Sequence, residues 1–320
     1  MLHILFHSTT MEQWQWNLLI NLILLFILTL SNVSSSNITT VAPRTRGSSA
    51  DVRRTNIERM KTATWLNREQ VLRSVNFSNP SITNSPYPSA TSYDVAIDVN
   101  ADCYVVFRDP DRTKYDLITA SSPDTILGEL ENDFGIFETH QTPCGACSNL
   151  QDLAVYLESP DLTNPVRLCG FTSFLSGQIN LQCLQTTLGF SLECATVWLH
   201  NTQHTRDNCF LPCILLLLSP NNIPGGGGLI DFNPCEPATE NNQNGCENTI
   251  NHQPVCSAFQ YESGRYRLNA CLQCDECNSG PLFQRIAGRT RRGSGIKSGI
   301  DRPDIPIFNH NYFTTANTRP

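Results

Sequence analysis

The chain has 320 residues, 16% of them charged, with 14 cysteines and a formal net charge of −7. Fourteen thiols have no use in a reducing cytosol unless they hold metal, and the acidic balance of the central region argues against nucleic acid as the main ligand. That balance is uneven: residues 93–280 carry 23 acidic and 7 basic side chains (net −16), between stretches 44–73 (8 basic, 3 acidic) and 281–302 (6 basic, 1 acidic), each net +5.

The first signal is an apolar run from Leu18 to Leu30, interrupted only by Asn21 and Thr29. Thirteen residues are too short for a membrane span, which needs about 20. The run fits a signal peptide over residues 1–35, with Val33 and Ser35 as small residues before a cut. No Lys or Arg precedes it, so an uncleaved, single-pass anchor with the domain outside is the rival reading; only then does a membrane enter as a partner.

Residues 36–92 read as low-complexity, disordered chain with one possible helix over 51–75, because Ser, Pro and Asn dominate its ends and no cysteine occurs there. Sequons at Asn37 and Asn76 make these the glycosylation candidates.

A cysteine-rich globular domain is expected over 93–303, followed by a tail at 304–320. Asp94–Val99 alternates apolar and polar residues, Cys103–Arg108 is β-branched and aromatic, and Phe134–Phe137 is a third short strand candidate. From Cys144 onward short helices tied by cysteines are expected. Ser148 and Gln151 match a capping box, and Leu150, Leu153, Ala154 and Leu157 form one buried stripe that Pro160 ends. A second helix runs from Ser191 to about Asp207, with Leu192, Ala195, Trp198 and Leu199 inward, and the apolar stretch 210–218 reads as core. The predicted fold class is therefore α+β: a small N-terminal β element, then a disulfide-stapled, mainly helical domain.

Four stretches together carry a resemblance: Cys144-Gly-Ala-Cys-Ser-Asn-Leu-Gln-Asp-Leu-Ala-Val-Tyr156, Trp198 to Arg206, Cys271-Leu-Gln-Cys-Asp-Glu276, and Ser279-Gly-Pro through Gly295. Over roughly residues 140–303 the chain resembles a family of uncharacterised secreted, cysteine-rich proteins. The resemblance implies no activity and no catalytic residues.

Four constellations have chemical meaning. Cys271-Leu-Gln-Cys274-Asp-Glu-Cys277 packs three thiols into seven residues, which with a fourth ligand could hold zinc or, in a reducing compartment, an iron–sulfur cluster; in the secretory route disulfides are the reading taken. Cys144-Gly-Ala-Cys147 precedes a helix, whose N-terminal dipole lowers a thiol pKa, so a thiol–disulfide oxidoreductase is one alternative. The strand–helix alternation of a thioredoxin-like fold is missing downstream, and structural bridges are the reading taken. His200, His204 and Asp207 share a helix face, a spacing suited to zinc, though nearly opposite the apolar stripe; an exposed polar face is the plainer reading. Arg289, Arg291 and Arg292 match the R-x-R-R of a processing site, or a solvated basic face, or arginines paired with the acidic domain. The sequence thus points to a secreted disulfide-rich protein that is non-catalytic, structural or partner-binding. No cofactor is expected, with zinc as the alternative, and the partner is an unidentified extracellular protein or surface.

Overall fold

A computed structural model describes residues 49–77, 100–127, 134–173, 176–216, 219–223, 249–250, 253–254, 265–301 and 306–313. The expected leader, Asn37 and the strand candidate Asp94–Val99 lie outside these residues. All described residues belong to one unit, 49–320. The chain order is α1 (Ser49–Thr62), β1 (Thr64–Trp65), α2 (Arg68–Ser74), β2 (Asp102–Phe107), β3 (Lys114–Ala120), α3 (Pro123–Leu127), β4 (Ile136–His140), α4 (Leu150–Glu158), α5 (Thr163–Thr172), α6 (Gly177–Cys183), a π-helical turn Leu184–Leu188, α7 (Leu192–Leu215), β5 (Thr249–Ile250), β6 (Gln253–Pro254), α8 (Ala270–Asn278) and α9 (Gly280–Ala287). This is the predicted α+β class, a small sheet joined to a mainly helical part.

The main sheet has the order β1-β3-β2-β4, with β1 parallel to β3 and the other pairs antiparallel. Alternation along β2 sends Cys103, Val105 and Phe107 into the main core, and Tyr104 and Val106 to the opposite face, which Ile126 of α3 covers. Burial on both faces explains why this strand reads as a continuous apolar run.

The stretch expected to be disordered with one helix is, over 49–77, a helix–strand–helix in the main core. Ile57 and Met60 of α1, Val71 and Leu72 of α2, and Phe77 are all buried there. A helix over 51–75 docked on the domain is one reading of this stretch; its division by β1 is not written in local composition, because β1 is held by backbone bonds at the sheet edge, Thr64 N–H to Thr113 O (2.7 Å) and Leu66 N–H to Tyr115 O (2.9 Å). Lys61 pairs with Glu158 of α4 at 2.8 Å, one of the links between the basic flank and the acidic domain.

The α4 stripe is as expected: Leu150, Leu153 and Ala154 are fully buried and Leu157 packs at its edge. The cap differs. Asn149, not Ser148, accepts from the Asp152 N–H at 2.8 Å, because the Ser148 hydroxyl is engaged elsewhere. α7 starts at its Ser191 cap as expected but runs on to Leu215. Cys209 is non-helical (φ −124, ψ 16), in the turn before Pro212, whose ring lacks an N–H and crowds the carbonyl four residues back. Leu192 faces solvent rather than the core.

Of the stretch expected as core, residues 210–216 are described, and they are not buried throughout. Pro212 and Leu216 are buried, but Phe210, Leu211 and Leu215 are 42%, 64% and 59% exposed. Residues 210–215 are the end of α7 with one covered face, and Leu216, just beyond it, meets Ala270 and Cys271 of α8. The expected tail is likewise part of the fold over 306–313, where His310 and Tyr312 are buried.

Five disulfides are present among the described residues. Cys103–Cys144 ties β2 to the corner before α4, Cys147–Cys194 ties that corner to α7, and Cys169–Cys183 ties α5 to α6. Cys209–Cys274 and Cys213–Cys271 form two rungs between the end of α7 and α8.

Candidate functional site

The Cys-Gly-Ala-Cys corner is buried at all four residues. Cys144 and Cys147 are three residues apart in sequence but bonded to different elements, and both are buried. The corner's amides are also committed. Ala146 and Cys147 N–H donate to Ile286 and Ala287 O at 2.9 and 2.8 Å, satisfying carbonyls that the end of α9 leaves open. Gly145 is required here, since a Cβ would sit 2.4 Å from the Ile286 carbonyl oxygen.

A buried guanidinium organises this corner. Arg289 donates from Nε to Cys147 O (3.1 Å), from one terminal nitrogen to Thr139 O and Ser294 Oγ (3.2 and 3.1 Å), and from the other to Ser148 O and Thr139 Oγ1 (2.8 and 2.7 Å). Five donors meet five oxygens, which is how a fully buried cation is made tolerable without a carboxylate in contact. The R-x-R-R motif is therefore not an accessible processing loop. Arg289 is buried, and Arg291 is half-buried, donating to Tyr156 O at 2.8 Å and to Ser159 O. Arg292 is half-exposed.

Beside it lies a serine–histidine pair that sequence reasoning missed. His140 Nδ1 faces the Gln141 carbonyl at 2.7 Å, so that nitrogen carries the proton, and Nε2 accepts from the Ser148 hydroxyl at 2.8 Å. Ser148 Oγ accepts in turn from Gly145 N–H at 2.7 Å. Burial, with the Arg289 charge added, holds the imidazole well below its ordinary pKa, hence neutral. A hydroxyl aligned on a neutral imidazole is the arrangement of an activated nucleophile. Here both side chains are completely buried, and the pair joins β4 to the corner.

On α7, His200 is buried and His204 half-buried, so of the expected exposed face only Asp207 is open; α7 is covered by α5 and α6 as well as by α8 and α9. His204 Nδ1 contacts Ser279 Oγ at 3.0 Å, at the junction of α8 and α9. Asp207 is exposed and takes Arg206 Nε at 2.9 Å. Thr205 donates to Asp275, and Thr205 and Ser279 hydroxyls lie 3.1 Å apart. Burial pushes the Asp275 carboxyl up, opposed by the Thr205 bond and the Arg167 charge. Among the described residues no three His, Cys, Asp or Glu side chains gather as a metal-binding group. No local pattern pointed to Ser279 or Asp275 as the partners of this helix.

Asn76 is exposed on the turn after α2, with φ of 58 in the left-handed region, while the next residue, Phe77, is buried. Among the described residues no helix is long and apolar enough to cross a membrane.

The fold and its buried corner define a disulfide-stapled α+β domain. Residues 178–310, from α6 through His310, match a family of unknown function (DUF8771), in keeping with the resemblance to an uncharacterised cysteine-rich family. No curated protein and no solved structure matches the chain.

Proposed function

We propose that this is a secreted, non-catalytic domain that acts by binding an extracellular protein or surface. The observation that carries the reading is the separation of the Cys144–Cys147 motif into two buried bridges. A dithiol catalyst cycles between its two neighbouring sulfurs, and neither sulfur here has the other as its partner. Five bridges favour an oxidising compartment, and the apolar run Leu18–Leu30 supplies a route to it. Leu211 and Leu215, exposed at the bridged end of α7, give a binding role an apolar surface to work with. Asn76 is the glycan acceptor in this reading.

Expression of the full chain in a eukaryotic secretory cell tests the proposal. The protein should be recovered from the medium with oxidised cysteines. Retention in the membrane fraction would favour the anchored form, and recovery of reduced protein in the cytosol would overturn the reading.

A further inference from the structure

Residues 306–313 form a strap across the sheet, held by histidine chemistry rather than by a bridge. Tyr312 packs against Phe107 and Phe137 with ring centroids 6.3 and 5.2 Å apart, and Phe313 against Phe107 at 5.5 Å. Asn56 of α1 binds the strap's backbone twice, donating to His310 O (2.8 Å) and accepting from Phe313 N–H (3.2 Å). Gly295 (φ +65) lets the strap pass, since a Cβ there would lie 2.3 Å from Pro306 O.

His310 is the polar centre of the strap. Its Nε2 donates to Ser294 O at 2.8 Å, so Nδ1 is unprotonated and accepts from the Tyr312 hydroxyl at 2.9 Å. A second proton, on Nδ1, would turn that hydroxyl from donor to acceptor. It would also place a new positive charge in the cluster that already holds the buried Arg289 cation. The charged and titratable groups around His310 are Arg289 and Tyr312, His140 and Glu138 on β4, Arg59 on α1, Arg112 in the β2–β3 turn, and Asp152 on α4 near Arg289. The fixed charge that acts on His310 is the Arg289 cation, and the strap's outer contacts, Arg59 over Phe313 and Arg112 to Tyr312 O, are cationic too.

We propose that the strap 306–313 is an acid-released clasp: protonation of His310 detaches it from the sheet and uncovers Phe107 and Phe137. Burial first, and then the Arg289 charge, bring His310 down to about 4 from 6.5 in the docked strap. A histidine depressed in this way contributes its full stabilisation above 6.5 and loses it progressively as pH falls from 6.5 towards 4. Docking should therefore weaken on the order of twenty-fold between pH 7.4 and pH 5. Asp152, pushed up to about 7 by burial, titrates across the same range with the opposite sign, so a variant is needed to isolate His310.

The test is amide hydrogen exchange on the full, oxidised chain at pH 7.4 and pH 5, corrected for intrinsic rates, with His310→Gln in parallel. Strap amides should lose on the order of twenty-fold in protection while the bridged α7–α8 pair does not, and the variant should lose none across this range. Unchanged strap protection, loss shared equally by α7 and α8, or an undiminished response in His310→Gln would each overturn the proposal. Should that variant not fold, the wild-type imidazole titration decides. A His310 midpoint below about 5, accompanied by strap opening, supports the clasp, and a midpoint near the ordinary 6.5 contradicts it.

Discussion

Arg289 Nε donates to the carbonyl oxygen of Cys147 at 3.1 Å, so the bridge that ties the Cys-Gly-Ala-Cys corner to α7 rests on a buried cation 142 residues away in sequence. The same guanidinium also donates to Ser148 O and Thr139 O. Arg289→Met should cost about 3–5 kcal/mol in chemical denaturation with the bridges intact. Arg289→Lys keeps the charge but lacks the planar fork, and should recover less than half of that loss.

The bridges should differ in worth. Cys147–Cys194 closes 47 residues and both its cysteines are buried, whereas Cys169–Cys183 closes 14 and Cys183 is half-exposed. Loop-closure entropy gives about 4 and about 3 kcal/mol respectively, before packing is added. Paired Cys→Ala variants compared by urea unfolding should show the larger loss for Cys147–Cys194, and the reverse order would contradict the core role of that bridge.

Two leucines on one helix should respond oppositely to those of the core. Leu211→Asp and Leu215→Asp lie at exposed positions and should change stability by no more than about 0.5 kcal/mol. Leu199→Ala, at a fully buried position on the same helix, should cost about 2–5 kcal/mol. If the proposed binding surface is right, the aspartates should also abolish retention of native partners without altering secretion.

In a eukaryotic secretory host Asn76 should carry a glycan, since its side chain is exposed on a turn. Asn76→Gln should remove one glycosidase-sensitive mass increment. An unmodified Asn76 in protein recovered from the medium would contradict the assignment.

What the sequence made legible was whatever is written in local periodicity. The α4 stripe of Leu150, Leu153 and Ala154, the Ser191 cap and the strand at Cys103–Phe107 are set by neighbours within a few residues. Features set by distant partners were not legible. The polar helix α1 carries little apolar periodicity because it needs just Ile57 and Met60 against the core, with Asn56 bound to the strap. Residues 210–216 misled because apolar content alone does not reveal that a helix end has one open face. His204 was read with its helix neighbours His200 and Asp207, yet its contact is Ser279, 75 residues on. Arg289 looked like part of a basic surface run, since no local pattern distinguishes a guanidinium caged by carbonyls from a solvated one.

The central claim is that Cys144 and Cys147 are held in separate structural bridges and take no part in thiol exchange. The most direct test is brief exposure of the native protein to a glutathione buffer, then alkylation and peptide mass analysis. The structure predicts no labelling of Cys144 or Cys147 until the protein is denatured, and Cys103–Cys144 and Cys147–Cys194 peptides after digestion. Early, selective labelling of Cys144, or recovery of a Cys144–Cys147 disulfide, would contradict the account and place a redox catalyst at the corner.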